Sequence, residues 1–164
     1  MKTLYLLGGP MGVGKTAVGQ ELKRRLKNSV FLDGDWCWDS HPFQVTGETR
    51  TMVMDNICHL LNNFLHCEAY ENVIFCWVMD RREILEEILG RIDTGNCKVK
   101  SLSLICSPGA LKERLERDVA VGRREPDVVG RSLERLPLYG ALDTRKVETT
   151  ALTVAQVAEA ILKI

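Results

Sequence analysis

Residues 9–16 read GPMGVGKT, and they fit the pattern G-x-x-x-x-G-K-[ST] at every position. An apolar run precedes them, and a segment with the helical spacing of Val18, Leu22 and Leu26 follows. In such a strand–loop–helix turn the glycines let backbone N–H groups point inward at phosphate oxygens, and the helix N-terminus adds its positive dipole end. The motif and its context therefore predict a nucleoside triphosphate site, rather than a glycine-rich turn that holds a chance lysine.

The loop also predicts which residues bind the nucleotide. Lys15 is expected to reach the β- and γ-phosphates, and the hydroxyl of Thr16 is expected to ligate Mg²⁺. ATP and Mg²⁺ are thus the expected cofactors. The predicted nucleotide-binding residues in this stretch are Gly9, Pro10, Met11, Gly12, Val13, Gly14, Lys15, Thr16 and Ala17.

Length and composition indicate one globular domain over residues 1–164. Lys and Arg number 22, as do Asp and Glu, so no global charge indicates a nucleic acid or a membrane surface as partner. The apolar run at the N-terminus is too short for a signal peptide. Six cysteines without a C-x-x-C pair are expected to be buried free thiols, which suits the cytoplasm.

Short apolar runs alternate with helical patterns along the whole chain. Strands are predicted at residues 3–8, 29–33, 72–78, 99–106 and 145–150. Helices are predicted at residues 15–27, 48–66, 81–91, 109–118, 130–139 and 154–164. This alternation predicts an α/β fold with a parallel sheet and right-handed crossovers.

Other motifs narrow the class of nucleotide-binding protein. A GTPase would carry N-K-x-D, which is absent, and a motor or AAA-type ATPase would usually show a strand that ends in D-E. Here the run VIFCWVMD ends in a single acid, Asp80, followed by two arginines. A small phosphotransferase is the class that remains.

The chain resembles the small P-loop kinases, which include the nucleoside monophosphate, shikimate, gluconate and adenylylsulfate kinases. GPMGVGKT, LDGD at 32–35, the Arg-rich segment after LKERLERD, and VETT…VAQVAEAILKI carry the resemblance over nearly the whole chain. It implies a three-layer P-loop NTPase sandwich, in which helices flank a five-stranded parallel sheet, with a short lid at about 120–130. The acceptor segment, residues 36–66, lacks the patterns of sugar or nucleobase kinases, so the acceptor stays unnamed.

Asp33 and Asp35 follow the second predicted strand. Ligands of open α/β sheets bind at the carboxyl ends of strands, so both acids are expected to share a crevice with the phosphate loop. By the resemblance, Asp33 holds Mg²⁺ through water, and Asp35 contacts the acceptor hydroxyl as a binding group or general base. The sequence allows these two roles to be exchanged. A plain Asp-Gly turn is the alternative.

The acceptor segment offers further contacts. Trp36 and Trp38 form an aromatic wall for the acceptor or pack beneath a loop, and the sequence supports both interpretations equally. Arg50 either clamps an anionic group of the acceptor, as arginines do in related kinases, or is a solvated residue at a helix end.

The predicted lid is rich in arginine. The resemblance implies that Arg123 and Arg124 reach the transferring phosphoryl group as catalytic residues, with Arg135 assisting from the next helix. Guanidinium groups would there offset charge that spreads over the equatorial oxygens. Gly122 and Gly130 would permit hinge motion.

Two arginines precede the lid. Arg114 is expected to be an exposed helix residue. Arg117 either stacks on adenine, as an arginine near this position does in similar kinases, or pairs with Glu113 at i, i+4.

These inferences together predict a cytoplasmic, ATP- and Mg²⁺-dependent kinase that is a monomer or a homodimer. Its acceptor would be a nucleoside monophosphate, a sugar acid, an antibiotic or another hydroxyl compound. The alternative is a nucleotide-binding ATPase that serves regulation and has no acceptor.

Overall fold

The computed structural model describes residues 1–164 and contains five strands, six α-helices and one 3-10 helix at Gly34–Trp38. The strands are β1 (Lys2–Gly8), β2 (Ser29–Asp33), β3 (Asn72–Cys76), β4 (Cys97–Ile105) and β5 (Arg145–Glu148). The helices are α1 (Lys15–Arg25), α2 (Gly47–His66), α3 (Arg82–Arg91), α4 (Pro108–Ala120), α5 (Val128–Gly140) and α6 (Val154–Leu162).

All strand pairs are parallel, and the sheet order is β2-β3-β1-β4-β5. The predicted α/β fold, a five-stranded parallel sheet flanked by helices, is confirmed. Because β1 has β3 on one side and β4 on the other, the loop after β1 lies where the strand order reverses. This is the position at which open α/β sheets bind ligands.

Alternate residues of the strands face two separate cores, since side chains of a strand point to opposite faces of the sheet. Leu4 and Leu6 of β1 pack with residues of α2 and α3. Tyr5 and Leu7 pack with residues of α1, α4, α5 and α6. Strands covered on both faces are rich in apolar residues, which is why most of them are readily found in the sequence.

Helix starts follow the local signals. Ser107 accepts a hydrogen bond from the backbone N–H of Ala110, and Thr153 and Gln156 form the predicted capping box before α6. The predicted strand ends are less accurate: β3 ends at Cys76, two residues before the predicted end, because the backbone N–H of Met79 bonds to the carbonyl of Trp77 and turns the chain away from the sheet toward α3.

Two other features concern the whole chain. All six cysteines are free, as predicted, and Cys58, Cys76 and Cys106 are buried while the other three are half-buried. No helix has the length and apolar character needed to span a bilayer.

Candidate functional site

The phosphate loop connects β1 to α1, and its glycines adopt conformations that other residues avoid. Gly12 has φ +86°, and a Cβ there would lie 2.5 Å from the Leu115 side chain of α4. Gly14, directly before α1, has φ +103°. Left-handed backbone at these positions turns the chain over the start of α1, so that the helix N-terminus faces the loop.

Lys15 closes over this loop. Its Nζ donates hydrogen bonds to the carbonyl oxygens of Gly9 at 2.8 Å and of Pro10 at 3.0 Å. Burial lowers the pKa of Lys15 to about 8, although the nearby charges of Asp35 and Asp33 act in the opposite direction. The ammonium group is therefore held at the mouth of the loop, where a phosphate would offer it a stronger acceptor than a carbonyl does.

Thr16 and Asp33 meet directly beside the loop. The Thr16 hydroxyl donates to Asp33 Oδ2 at 2.6 Å, and the other carboxylate oxygen accepts from the backbone N–H of Asp35 at 3.0 Å. Asp33 is only 5% exposed. A hydroxyl and a carboxylate are suitable donors for Mg²⁺, which commonly takes one or two protein oxygens with phosphates and waters as the other ligands.

Asp35 lies in the first turn of the 3-10 helix, two residues beyond the end of β2. Its side chain is open to solvent on one side, yet desolvation by the crevice wall raises the pKa of its carboxyl, and the charge of Asp33 adds to this effect. Lys15, the Trp77 indole and Arg124 lower the same pKa. Asp35 thus faces the crevice that holds the P-loop lysine.

The 3-10 helix places its two tryptophans on opposite faces of the sheet. Trp36 stacks edge-to-face on Phe31, at 5.4 Å between ring centroids, on the face covered by α1. Trp38 packs on the α2 face, where its Nε1 donates to the carbonyl of Gln44 at 3.0 Å. Trp38 lines a cavity of about 270 Å³, and Trp36, the predicted acceptor contact, is not among its lining residues.

The predicted arginines of the lid and of the acceptor segment occupy two kinds of position. Arg124 is half-buried, donates to Asp118 at 3.1 Å, and lies near enough to Lys15 and Asp35 to affect the pKa of each. Arg123 is exposed and forms no ion pair. Arg50, in the first turn of α2, is also exposed and without an ion pair. The structure therefore brings one predicted lid arginine, Arg124, into the crevice.

Helix α5 is bonded to the loop and to the chain after β3. The hydroxyl of Ser132, 2% exposed, donates to the carbonyl of Met11 at 2.8 Å. Arg135 donates to the buried carboxylate of Asp80 at 2.9 Å. Tyr139 is fully buried, and its hydroxyl has no hydrogen-bond partner; burial and Asp80 raise its pKa. Arg135 is consequently tied to Asp80 rather than free at the crevice.

Arg114 is the residue that the sequence analysis placed wrongly. It is half-buried, and its guanidinium donates to the carbonyl of Thr149 at 3.0 Å, to the Thr149 hydroxyl at 3.2 Å and to the Val13 carbonyl at 3.4 Å. It thus joins α4 to the phosphate loop and to the turn after β5. Its neighbour Leu115, and Leu111 three residues earlier, are fully buried, which was the available signal for an inward-facing position.

Arg117, in contrast, is exposed and pairs with Glu113 at 3.0 Å. This is the surface pair that the i, i+4 spacing predicts. Its role as an adenine contact stays a prediction.

Comparison with known proteins places the chain among P-loop proteins. The family described as AAA domain matches residues 6–127. No functionally curated protein matches it in sequence. A gluconokinase from Sinorhizobium meliloti 1021 is similar in structure, with a TM-score of 0.70, 20% identity, and coverage of 98% of this chain and 90% of that chain.

Two further structures have the same fold. The tunicamycin resistance protein of Deinococcus radiodurans has a TM-score of 0.71 and 21% identity, covering 99% of this chain and 95% of that one. A shikimate kinase from Acinetobacter baumannii, in complex with shikimate, has a TM-score of 0.64 and 22% identity, covering 99% and 92%. The resemblance to small P-loop kinases is thereby confirmed for the fold.

Proposed function

The chain belongs to the AAA domain family, and we propose that it transfers the γ-phosphoryl group of ATP to the hydroxyl of a small-molecule acceptor. The observation that carries this proposal is the contact between Thr16 and Asp33 at 2.6 Å, with Asp35 one turn away in the same crevice. A metal-binding pair beside the loop serves any P-loop enzyme. A second carboxylate that faces the lysine is what phosphoryl transfer to a hydroxyl requires in addition.

The proposed reaction is an in-line displacement. The acceptor oxygen bonds to the γ-phosphorus, the bond from that phosphorus to the β–γ bridging oxygen breaks, ADP leaves, and the acceptor proton passes to Asp35. Lys15 and the loop N–H groups offset the charge on the phosphates, and Arg124 does so from the lid. Thr16 and Asp33 would hold Mg²⁺, which would neutralise part of the phosphate charge.

Residues outside the crevice have smaller parts in the proposal. Arg123 is a lid residue that must move inward to reach the phosphoryl group, and Gly122, at φ +75°, lies where the lid leaves α4. Arg117 is proposed as an adenine contact, and Arg50 and Trp36 as acceptor contacts made on closure. We further propose a single cytoplasmic domain, a monomer or homodimer, whose partner is a small molecule.

The structural relatives suggest acceptors to test. Their names mention gluconate kinase activity, shikimate and tunicamycin resistance, and each relative shares only the fold with this chain. ATP consumption should therefore be measured with gluconate, shikimate, tunicamycin and nucleoside monophosphates. Consumption that rises above the basal rate with one of them, together with a phosphorylated product, would support the proposal.

Asp35→Asn tests the mechanism. It should keep ATP binding and lower transfer about 10²–10⁴-fold, because the proton acceptor is lost while the loop is intact. Asp143→Asn, at an exposed position before β5, is the matched control and should transfer at the normal rate. Unchanged transfer by Asp35→Asn would refute the role of Asp35.

The family description as an AAA domain also favours a second function, nucleotide hydrolysis in a regulatory protein without an acceptor. The measurement of ATP consumption with the panel of acceptors distinguishes the kinase from the regulatory ATPase. A pure ATPase would show basal hydrolysis that no compound in the panel increases, and it would release inorganic phosphate rather than a phosphorylated product.

A further inference from the structure

A cavity of about 270 Å³ lies between the end of the 3-10 helix and the start of α2. Its apolar wall consists of Cys37, Trp38, Pro42 and Met52, and hydroxyls of Ser40 and Thr49 supply polar contacts. A second, more open hollow on the first turns of α2 adjoins it and shares Met52. Both lie in the acceptor segment, and the cavity and the hollow together are called the recess below.

Large apolar side chains near this recess are exposed to solvent. Nine large apolar residues of the chain are exposed, and three of them, Phe43, Val45 and Met52, fall between residues 43 and 52. Phe43 is 63% exposed, with its ring 5.5 Å from Trp38. Clustered exposed apolar residues of this kind mark binding surfaces for apolar groups.

The charge around the recess is negative. Asp39 lines the cavity and Glu48 lines the hollow, and neither forms an ion pair. Asp55, also at the hollow, is neutralised by Arg91. Neither wall contains a lysine or an arginine, and His41 is the only basic side chain in them. Arg50, exposed and without an ion pair on the same turn of α2, offsets one of these two charges, so the recess keeps a net negative charge that disfavours an anionic group.

Arg135 of α5 does not make the net charge of the recess positive. Arg135 is paired with the buried carboxylate of Asp80, which cancels its charge. Asp35 belongs to the same short helix as Cys37, and its side chain lies toward Trp77, on the α2 face where Trp38 also packs. Asp35 precedes the lining residue Cys37 by two positions, and Phe43 lies between the lining residues Pro42 and Gln44, so both border the recess.

We infer that this recess binds an uncharged or cationic hydroxyl compound that carries an apolar group. The inference rests on the proposed function, since it names the acceptor class of that site. The hydroxyl group would reach Asp35, and the apolar group would cover Phe43 and Met52. Each buried methylene strengthens such binding about fourfold.

Calorimetric titration with Mg²⁺ and a non-hydrolysable ATP analogue tests the inference on the full chain. The uncharged or cationic probes are tunicamycin, hexyl glucoside and N-hexylglucosamine, and the anionic probes are gluconate, shikimate and UMP. At least one probe of the first group should bind with a Kd below about 1 mM, the upper end of ordinary KM values, and about tenfold more tightly than every anion. Tightest binding by an anion, or no binding by the first group, would overturn the inference.

Two variants locate the site. Met52→Gln and Phe43→Gln should each weaken the bound probe about fivefold, since both side chains are exposed and their loss removes apolar contact without disturbing the core. Val154→Gln, at a position 40% exposed on α6, is the control and should leave the affinity unchanged. Equal effects at all three positions would contradict the assignment.

Failure of the inference and failure of the proposed function give different results. Phosphoryl transfer to an anion would preserve the proposed function and reject this acceptor class. Binding of an apolar hydroxyl probe, dependent on Met52 and Phe43 but followed by no transfer, would preserve the ligand class and reject the kinase activity.

Discussion

Around the phosphate loop, polar side chains from four elements are bonded to one another or to the loop backbone. Across the crevice, the acceptor segment leaves aromatic and apolar side chains in solvent. Thr16 bonds to Asp33, and Ser132 and Arg114 each bond to a loop carbonyl. Phe43, Val45 and Met52 are about half exposed or more. The loop side is thus preorganised for a ligand, while the acceptor side has apolar surface that only a ligand would cover.

The difference has a consequence for mutagenesis. Substitutions on the loop side should lower nucleotide affinity or stability, because each removes a bonded partner. Substitutions on the acceptor side should leave both unchanged and alter only the second ligand. The following variants test this contrast.

Lys15→Ala should have the largest effect. Removal of the one ammonium group at the loop mouth should weaken a fluorescent ATP analogue at least about a hundredfold, as loss of a preorganised charge contact does. Lys163→Ala, which loses only an exposed pair with Glu159, should bind the analogue normally. Normal binding of the ATP analogue by Lys15→Ala would mean that the loop is not part of the nucleotide site.

Arg114→Ala should have the second-largest effect. It removes charged hydrogen bonds to Thr149 and Val13, so the free energy of unfolding should fall by about 1.5–3 kcal/mol. Arg117→Ala on the same helix, and Arg50→Ala in the acceptor segment, are exposed and should change it by less than about 0.5 kcal/mol. Urea denaturation of the three variants measures these free energies of unfolding. Equal losses of stability in all three would contradict the difference between the loop side and the acceptor side.

The fold was predictable from the sequence because its signals are local and redundant. A complete phosphate loop between a strand and a helix, apolar strands covered on both faces, and caps such as Thr153–Gln156 all indicate one architecture. The end of β3 was missed because the backbone N–H of Met79 bonds to the Trp77 carbonyl in a tight turn, and a turn within an apolar run leaves no mark in the periodicity.

The site was predictable only where a motif fixes the geometry. Thr16 and Asp33 are in contact, as expected, because Thr16 lies at the start of α1 and Asp33 lies at the end of β2, the next element of the chain. Trp36 and Trp38 were indistinguishable in sequence, and only the turn of the 3-10 helix assigns them to opposite faces. Arg114 was misplaced because an arginine that bonds to backbone carbonyls resembles, in sequence, one that pairs with a nearby glutamate.

The pH dependence of nucleotide binding is a smaller effect on the loop side. Lys15, whose pKa is lowered to about 8, carries its charge below that pH and loses it above. Affinity for the ATP analogue should therefore fall above about pH 8, by at most about tenfold per pH unit. Lys15→Arg keeps its charge at these pH values and should remove the decline, whereas Asp35→Asn should retain it. A decline that persists in Lys15→Arg would assign it to another group.

Ser132→Ala should have the smallest effect that remains measurable. The lost hydrogen bond to Met11 costs about 1 kcal/mol, while alanine gains about 0.5 kcal/mol of helix propensity, so the free energy of unfolding should fall by about 0.5 kcal/mol. Thr51→Ala removes a hydroxyl that bonds only within its own exposed helix turn, so it should cause no loss. Because Ser132 holds a loop carbonyl, its variant should also bind the ATP analogue a few-fold more weakly. Normal nucleotide affinity at reduced stability would mean that α5 supports the fold without shaping the loop.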